Sequence, residues 1–389
     1  MPKRLYYFFS SVRLTVFLLA ASILLVFFGT LDQVHWGIHK AQQAYFESLF
    51  VIWPYQEGVL FYKGLPLLGG YTLGALLLVN LILGFFRFTK LTKAKTGIAM
   101  IHGGIVLLLI SGFLISFMQK ETQMTLDEGG SSNYSSSYRK VELVVIDKSA
   151  PDVDTVFSIP QAQFRAGETY RAFDAIDVQL IDFMPNSVIG RVSQNPGRQP
   201  VNVTRGTGVE MGLFVDRRPE THALNQSNLP SALVTLSADG KSLGSWLVSA
   251  LFRDFPPQTF EFGGKQYELA LRMHRTYYPF TIELLDFTHD RYPGTNIPKN
   301  FSSDVRIIRP DPHEDRRALI YMNHPLRYAG LTFFQQGFDN DDTTSILQVV
   351  RNPAWQLPYW AVLLVGLGML VQFSISLVRF FTKSQAKES

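Results

Sequence analysis

The sequence predicts an integral membrane protein with four transmembrane α-helices. A large extracytoplasmic β-rich domain, a sandwich or open barrel, is expected between the third and fourth helices. Three observations carry that expectation. Four apolar stretches contain no Asp, Glu, Lys or Arg, and each approaches or exceeds the length of about 20 residues that a bilayer requires. Lys and Arg crowd the short segments at alternate ends of these stretches. The long region before the last stretch is a succession of short runs in which apolar and polar residues alternate, the period of half-buried strands.

The first span is expected over 14–31 (LTVFLLAASILLVFFGTL). Its basic start resembles a signal peptide, but no small-x-small cleavage site follows, so a retained helix is expected. Residues 34–52 (VHWGIHKAQQAYFESLFVI) pattern as an amphipathic segment. Trp36, Tyr45, Phe46, Leu49 and Phe50 could lie in the outer membrane interface, or the segment could be a loop helix packed on the protein. The second span is expected over 67–86 and the third over 98–118. The fourth is expected over 357–378. The chain thus divides into a membrane domain at 1–118, a β-rich domain at 119–356, and a last helix with its tail at 357–389.

Charge placement orients the spans, because cytoplasmic loops carry an excess of Lys and Arg. Lys3, Arg4 and Arg13 precede the first span, and Arg87, Lys90, Lys93 and Lys95 link the second and third. The tail holds Arg379, Lys383 and Lys387 against Glu388. These segments carry +9 and everything else −5, within a net charge of +4. Both termini are therefore expected in the cytoplasm of an inner (cytoplasmic) membrane, with the large domain periplasmic. The basic balance is an orientation signal, and nucleic acid is excluded as a partner. The lipid bilayer is the implied surroundings.

In the outer region, EGGSSNYSSS (Glu128–Ser137) reads as a linker or surface loop. The β-like runs include VELVVI (141–146), IDVQLIDF (176–183), ALVTL (232–236), YELALRM (267–273), FTIELLDF (280–287), SDVRII (303–308), ALIYM (318–322) and LTFFQ (331–335). Long helical periodicity is absent, which favours a β-sandwich or open barrel.

There are eight histidines: His35, His39, His102, His222, His274, His289, His313 and His324. By the expected boundaries, only His102 lies in a span, about 6 Å from its cytoplasmic end. An ionisable side chain there is a functional candidate by default, and neutral imidazole is a common haem ligand. Gly103 and Gly104 follow it and would admit a flat macrocycle or another helix. The competing reading is a histidine hydrogen-bonded between helices, with the glycines serving helix packing. Asn80 lies at similar depth in the second span and could accept the imidazole N–H, or simply bridge helices. Arg87 and Lys90 at the inner mouth could meet haem propionates, although positive-inside anchoring accounts for them without a ligand. With no other histidine in the expected spans, two-histidine ligation requires another chain. Met100, Met118 and Met369 are the sulfur alternatives.

His35 and His39 are spaced i, i+4, which suits a metal, but no His-Glu-x-x-His pattern accompanies them. The chain has no cysteine, which removes disulfides, thiolate metal sites and thiol nucleophiles. No phosphate-binding loop or nucleophile elbow stands out.

Several segments together resemble the ResB-like family of cytochrome c biogenesis proteins, the smaller partner in the System II haem-attachment machinery. In the membrane half they are AYFESLFVIW (44–53), GGYTLGALLLVNLI (69–82) and KTGIAMIHGGIVLLLISGFL (95–114). In the outer region they are YPFTIELLDFTHDRYPGTNIPKNFSSDVRI (278–307), NHPLRYAGLTFFQQGF (323–338) and VVRNPAW (349–355). The stretch from about 119 to 275 is less distinctive. The resemblance implies a haem-delivery subunit that holds haem b transiently, shared with a CcsA/ResC-like membrane partner, and presents it for attachment to apocytochrome c. It implies His102 as an axial ligand, with the second histidine coming from the partner. His324 is not carried over as a ligand, since its Asn-His-Pro-Leu context suits a turn. No tryptophan-rich haem-handling loop is present, so the chain is expected to be an accessory subunit of a holocytochrome c synthase rather than an enzyme alone. Two other functional classes compete: a b-type haem electron-transfer subunit of a respiratory complex, and a non-haem membrane scaffold with an outer recognition domain.

Overall fold

The structure, a computed structural model, describes all residues except Met1, 57–62, Leu91, Asp152, 222–227, 296–297, Pro312, 340–342 and Ser389. His222 therefore lies outside the described residues. The chain forms two compact units. One comprises Met1–Lys120 and Arg351–Ser389, the other Glu121–Thr221 and Gln226–Val350.

The first unit is helical. A short helix α1 (Lys3–Phe9) turns at Ser10 and Ser11 into α2 (Val12–Ala41), followed by α3 (Gly70–Phe88) and α4 (Thr96–Met118). Among the described residues, four helical stretches are long and apolar enough to cross a membrane: Val12–Phe46, Gly70–Phe88, Lys93–Met118 and Leu357–Thr382. That is the composition of a multi-pass membrane protein.

The first stretch runs well past the Leu31 at which its apolar sequence ends. The reason is Asp32, which is 5% exposed. Its carboxylate accepts hydrogen bonds from the Tyr45 hydroxyl at 2.6 Å and the Tyr55 N–H at 2.8 Å. The helix therefore continues past a charge that a hydropathy reading treats as its end. Residues 34–52 do not form one continuous helix. They finish the first segment of α2, break helical geometry at Gly37 (φ 68°, ψ 165°), re-enter helix up to Ala41, pass through a π-turn at Gln42–Phe46 and enter strand β1 (Phe50–Trp53), which pairs antiparallel with β2 (Leu65–Leu68). Tyr45 is fully buried with Leu18, Leu25, Val51 and Leu73, and its ring lies against Gly29, where an added Cβ would sit 3.2 Å from it.

The second unit is built from β-strands, with one short helix, α5 (Thr207–Glu210). In chain order the strands are β3 (Lys120–Asp127), β4 (Ser131–Asp147), β5 (Thr155–Pro160), β6 (Thr169–Ala172), β7 (Ile176–Met184), β8 (Ser187–Arg191), β9 (Leu213–Arg217), β10 (Ser231–Ala238) and β11 (Lys241–Ser249). They continue as β12 (Gln258–Phe262), β13 (Lys265–Arg291), β14 (Pro298–Arg309), β15 (Glu314–Tyr321), β16 (Leu326–Tyr328), β17 (Leu331–Asp339) and β18 (Thr344–Arg351). Helix α6 (Leu357–Glu388) follows.

These strands enclose two separate apolar cores. In the first lobe, the order β12–β13–β4–β5 faces the order β11–β10–β7–β6. Between them lie Leu143, Val145, Val178, Leu180, Val234, Leu236, Trp246 and Leu269. In the second lobe, one sheet in the order β15–β14–β13–β4–β3–β18–β17–β16 curls around Ile282, Leu284, Val305, Ile307, Phe333, Leu347 and Val349. Its two end strands are joined by the turn in which Tyr321 and His324 exchange backbone hydrogen bonds. Sandwich and curled barrel thus coexist in one unit.

β4 and β13 serve both lobes. The buried positions of β13 are 267, 269 and 271 in the first lobe, then 280, 282, 284 and 287 in the second. The change of parity follows the register shifts between Met273 and Arg275 and between Tyr277 and Ile282. At the first shift β4 advances three residues more than β13, and at the second β13 advances three more than β4, so regular alternation is interrupted between the lobes. The expected linker at 128–137 is instead mostly strand: β4 begins at Ser131. Ser135 is fully buried, and its hydroxyl is hydrogen-bonded to those of Thr122 and Tyr278. Small polar residues here are buried because their hydroxyls find partners across strands.

Candidate functional site: a histidine pocket in the helical unit

His102 occupies the second turn of α4. Its Nδ1 lies 2.9 Å from the Ile98 carbonyl oxygen. A carbonyl can only accept, so Nδ1 carries a proton, and in the neutral imidazole Nε2 then keeps the lone pair. The Phe85 ring of α3 leans on the imidazole with centroids 5.2 Å apart. Together they border a cavity of about 160 Å³. Ser10, Val12 and Thr15 wall it from the α1–α2 corner; Asn80, Leu81, Gly84 and Phe88 wall it from α3.

Asn80, 3% exposed, shares this cavity but does not partner the histidine. Its Oδ1 accepts from the Thr15 hydroxyl at 2.6 Å, and its Nδ2 donates to the carbonyls of Phe9 (2.6 Å) and Ser11 (3.1 Å). The expected imidazole contact is corrected accordingly, because the backbone of its own helix already takes the Nδ1 proton. Arg87 donates from Nη1 to the Tyr7 carbonyl (3.1 Å) and the Ser10 hydroxyl (3.0 Å). Its guanidinium also lies over the Tyr7 and Phe88 rings. Lys90 is exposed just beyond α3.

The glycines after His102 serve helix packing. Gly97, Gly104 and Ser111 are buried at seven-residue spacing on α4. A Cβ on Gly104 would meet Val365 at 2.6 Å and the Ala361 carbonyl at 2.9 Å, both on α6. Small residues at such spacing let two helix backbones approach closely.

The overrun of α2 changes the histidine count, since His35 and His39 now lie in the first apolar helix. Gly37 between them has φ 68° and ψ 165°, so the two imidazoles do not share one helical face. Among the described residues no group of three or more His, Asp or Glu is placed to hold a metal ion. Thr15 marks the level of the His102 cavity, and His35 lies about 20 residues, or about 30 Å, further along α2. Neither His35 nor His39 reaches that cavity.

The outer histidines have structural surroundings. His274 Nδ1 lies 3.0 Å from the buried Glu142 carboxylate. His289 packs between Phe301 and Phe338. The His324 ring stacks on Tyr321 at 4.2 Å, beside Asn323 at φ 64°, which is the turn expected there. Around Glu142, burial pushes the carboxyl pKa up. Hydrogen bonds from Ser158 and Arg272, the Arg272 charge and the Arg275 N–H outweigh that effect, and the net shift is downward.

Residues 260–346 match the model of the ResB-like family. That part of the chain is similar to the ResB-like family. The ResB-like segment runs from β12 into the start of β18, and so covers most strands of the second lobe. Two relatives add to this. One is protein NrfI of Wolinella succinogenes, 32% identical over 105 residues, which is 27% of this chain and 12% of the relative. The other is cytochrome c biogenesis protein CcsB of a Picosynechococcus species, 32% identical over 80 residues, which is 21% of this chain and 17% of the relative. The aligned parts therefore span well under a fifth of either relative's length.

The sequence singled out His102 and Asn80, and the cavity includes both. Ser10, Thr15 and Phe85 were missed. Part of that wall was readable, because Asn80, Gly84 and Phe88 recur at four-residue spacing on one face of α3. The contribution of the α1–α2 corner was not, since it depends on contacts 65 to 71 residues apart in sequence.

Proposed function

We propose that this protein belongs to the ResB-like family and serves cytochrome c biogenesis as the haem-delivery subunit of a System II haem-attachment complex. The observation that carries the reading is the contact of His102 Nδ1 with the Ile98 carbonyl oxygen. A neutral imidazole with Nδ1–H held by a backbone carbonyl and Nε2 unprotonated is the form that ligates iron. Bound haem would supply the vinyl groups to which apocytochrome thiols attach. This chain's own part is to fix the imidazole, exclude water with Phe85 and Phe88, and offer Arg87 and Lys90 at the cavity mouth to the propionates.

The cavity, at about 160 Å³, is smaller than the roughly 300–1,000 Å³ of typical ligand sites. It suits the edge of a macrocycle whose remaining surface is covered by a second protein. The distance from His102 to His35 and His39 argues the same way, and a CcsA/ResC-like partner would supply the second axial histidine. In this reading both termini lie in the cytoplasm, by the excess of Lys and Arg there. The β-rich unit then faces the periplasmic side, where apocytochrome c is met. The name of the CcsB relative supports the process.

The test is co-purification with the CcsA/ResC-like partner and comparison of wild type with His102→Ala. The variant is expected to lose at least tenfold in haem absorbance while the complex still assembles. Unchanged haem content and spectrum would overturn the ligand assignment. Loss of c-type cytochromes on deletion of the gene checks the process itself.

A further inference from the structure

Ser10, at the corner between α1 and α2, is 1% exposed, yet α1 itself buries no residue. Apolar packing therefore contributes little to holding the N-terminal segment in place. Its polar attachments to α3 come from two side chains seven residues, or about two helical turns, apart. Asn80 donates to the carbonyls of Phe9 and Ser11 and accepts from Thr15. Arg87 donates to the Tyr7 carbonyl and the Ser10 hydroxyl, and covers the Tyr7 ring. The same segment supplies Ser10, Val12 and Thr15 as one wall of the His102 cavity. One edge of that wall thus adjoins a short helix that buries no residue of its own.

We propose that α1 and the Ser10–Ser11 corner form a movable wall of the His102 cavity, latched by Asn80 and Arg87. Release of the latch opens the cavity toward the end of α3 that carries Lys90, and closure seals the imidazole from water. In the closed state Asn80 and Arg87 are positioning residues, acting through the wall, and release of the latch frees Arg87 for the propionates of the function proposed above. That the wall admits a flat macrocycle rests on the function proposed above; the latch itself rests only on the hydrogen bonds and the burial.

The chain has no cysteine, so introduced thiols are unique. In the full-length protein, a Cβ at Gly84 would stand 3.9 Å from the Ser10 carbonyl oxygen, and Ser10→Cys with Gly84→Cys should form a disulfide that pins the wall. With haemin as the probe, the oxidised protein is expected to take it up at least tenfold more slowly than the same sample after reduction. Equal rates with the disulfide verified by mass, or no disulfide in the folded chain, would overturn the proposal.

A second readout needs no haem. Leu81→Cys places a thiol in the cavity lining, and its labelling by N-ethylmaleimide should quicken about tenfold when Asn80→Ala or Arg87→Ala is added. Unchanged labelling in both overturns the latch. Labelling that responds, in a protein that takes up no haemin in either redox state, leaves the latch standing and defeats the haem reading alone.

Discussion

The two lobes of the β-rich unit use the same two long strands and bury cores of similar kind, yet they are built differently. The first stacks two four-stranded sheets. The second curls one sheet until its ends meet at the turn through Asn323. One strand can therefore serve two architectures, provided its side chains are re-aimed between them. In β13 that happens over residues 273–282, where register shifts replace regular pairing. Polar groups hold this crossing. Glu142, 2% exposed, accepts from Arg272 Nε at 2.9 Å, from Ser158 at 2.6 Å and from the Arg275 N–H at 3.3 Å. Arg275 lies over the Tyr134 ring at 4.0 Å. Elsewhere the strand is fixed by what it buries; here it is fixed by what its backbone and charges bond to.

The largest expected effect separates the lobes. Phe333 is fully buried in the second core, and Phe333→Ala should cost about 4 kcal/mol. Hydrogen exchange on the full-length protein should show β14, β17 and β18 loosening before β7 and β10. Equal loosening of both sets would mean that the shared strands fuse the lobes into one cooperative unit.

The crossing should respond next. Glu142→Gln leaves Arg272 without its carboxylate, and breaking such a buried pair costs about 3 kcal/mol. The folded pKa of Glu142 lies below its ordinary 4.5. Its contribution is therefore complete above that value and lost as pH falls through the folded value. Thermal melts of wild type should show this acid-side loss, and those of Glu142→Gln should lack it. A variant with the same acid limb as wild type would remove Glu142 from the account.

The smallest effect is at the far end of β13 from the second lobe. Lys265 donates to Asp147 at 2.8 Å. This bond, with hydrogen bonds from Ser149, holds the Asp147 pKa at about 2. Lys265→Ala should raise it toward the ordinary 3.8, read from carboxyl chemical shifts, with little change in melting because the pair is exposed.

Much of the helical unit was legible because lipid-facing helices declare themselves by uninterrupted apolar runs. The end of α2 was not, since the Asp32 side chain is satisfied by tyrosines from the following turn and loop. In the β-rich unit the alternating runs marked strands well. YELALRM and FTIELLDF nevertheless read as two strands, whereas they are the two halves of β13. Across Tyr278 and Pro279 the register with β4 is interrupted, and pairing resumes at Thr281 with β14 and at Ile282 with β4. At the candidate site, residue type pointed to His102 because an imidazole in an apolar helix is conspicuous. Asn80 was conspicuous for the same reason, but residue type says nothing of which neighbour a side chain bonds.

The sharing of β4 and β13 has a consequence for what can be cut out of this protein. The stretch recognisable by sequence, residues 260–346, begins inside β12 and stops inside β18. It omits β3 and β4, the two strands that lie between β13 and β18 in the curled sheet. Excised alone, it would leave unpaired strand edges flanking the gap, the kind of surface that recruits other chains. The most recognisable piece of this molecule is thus not a piece that can stand by itself, and the unmatched residues before it are part of its walls.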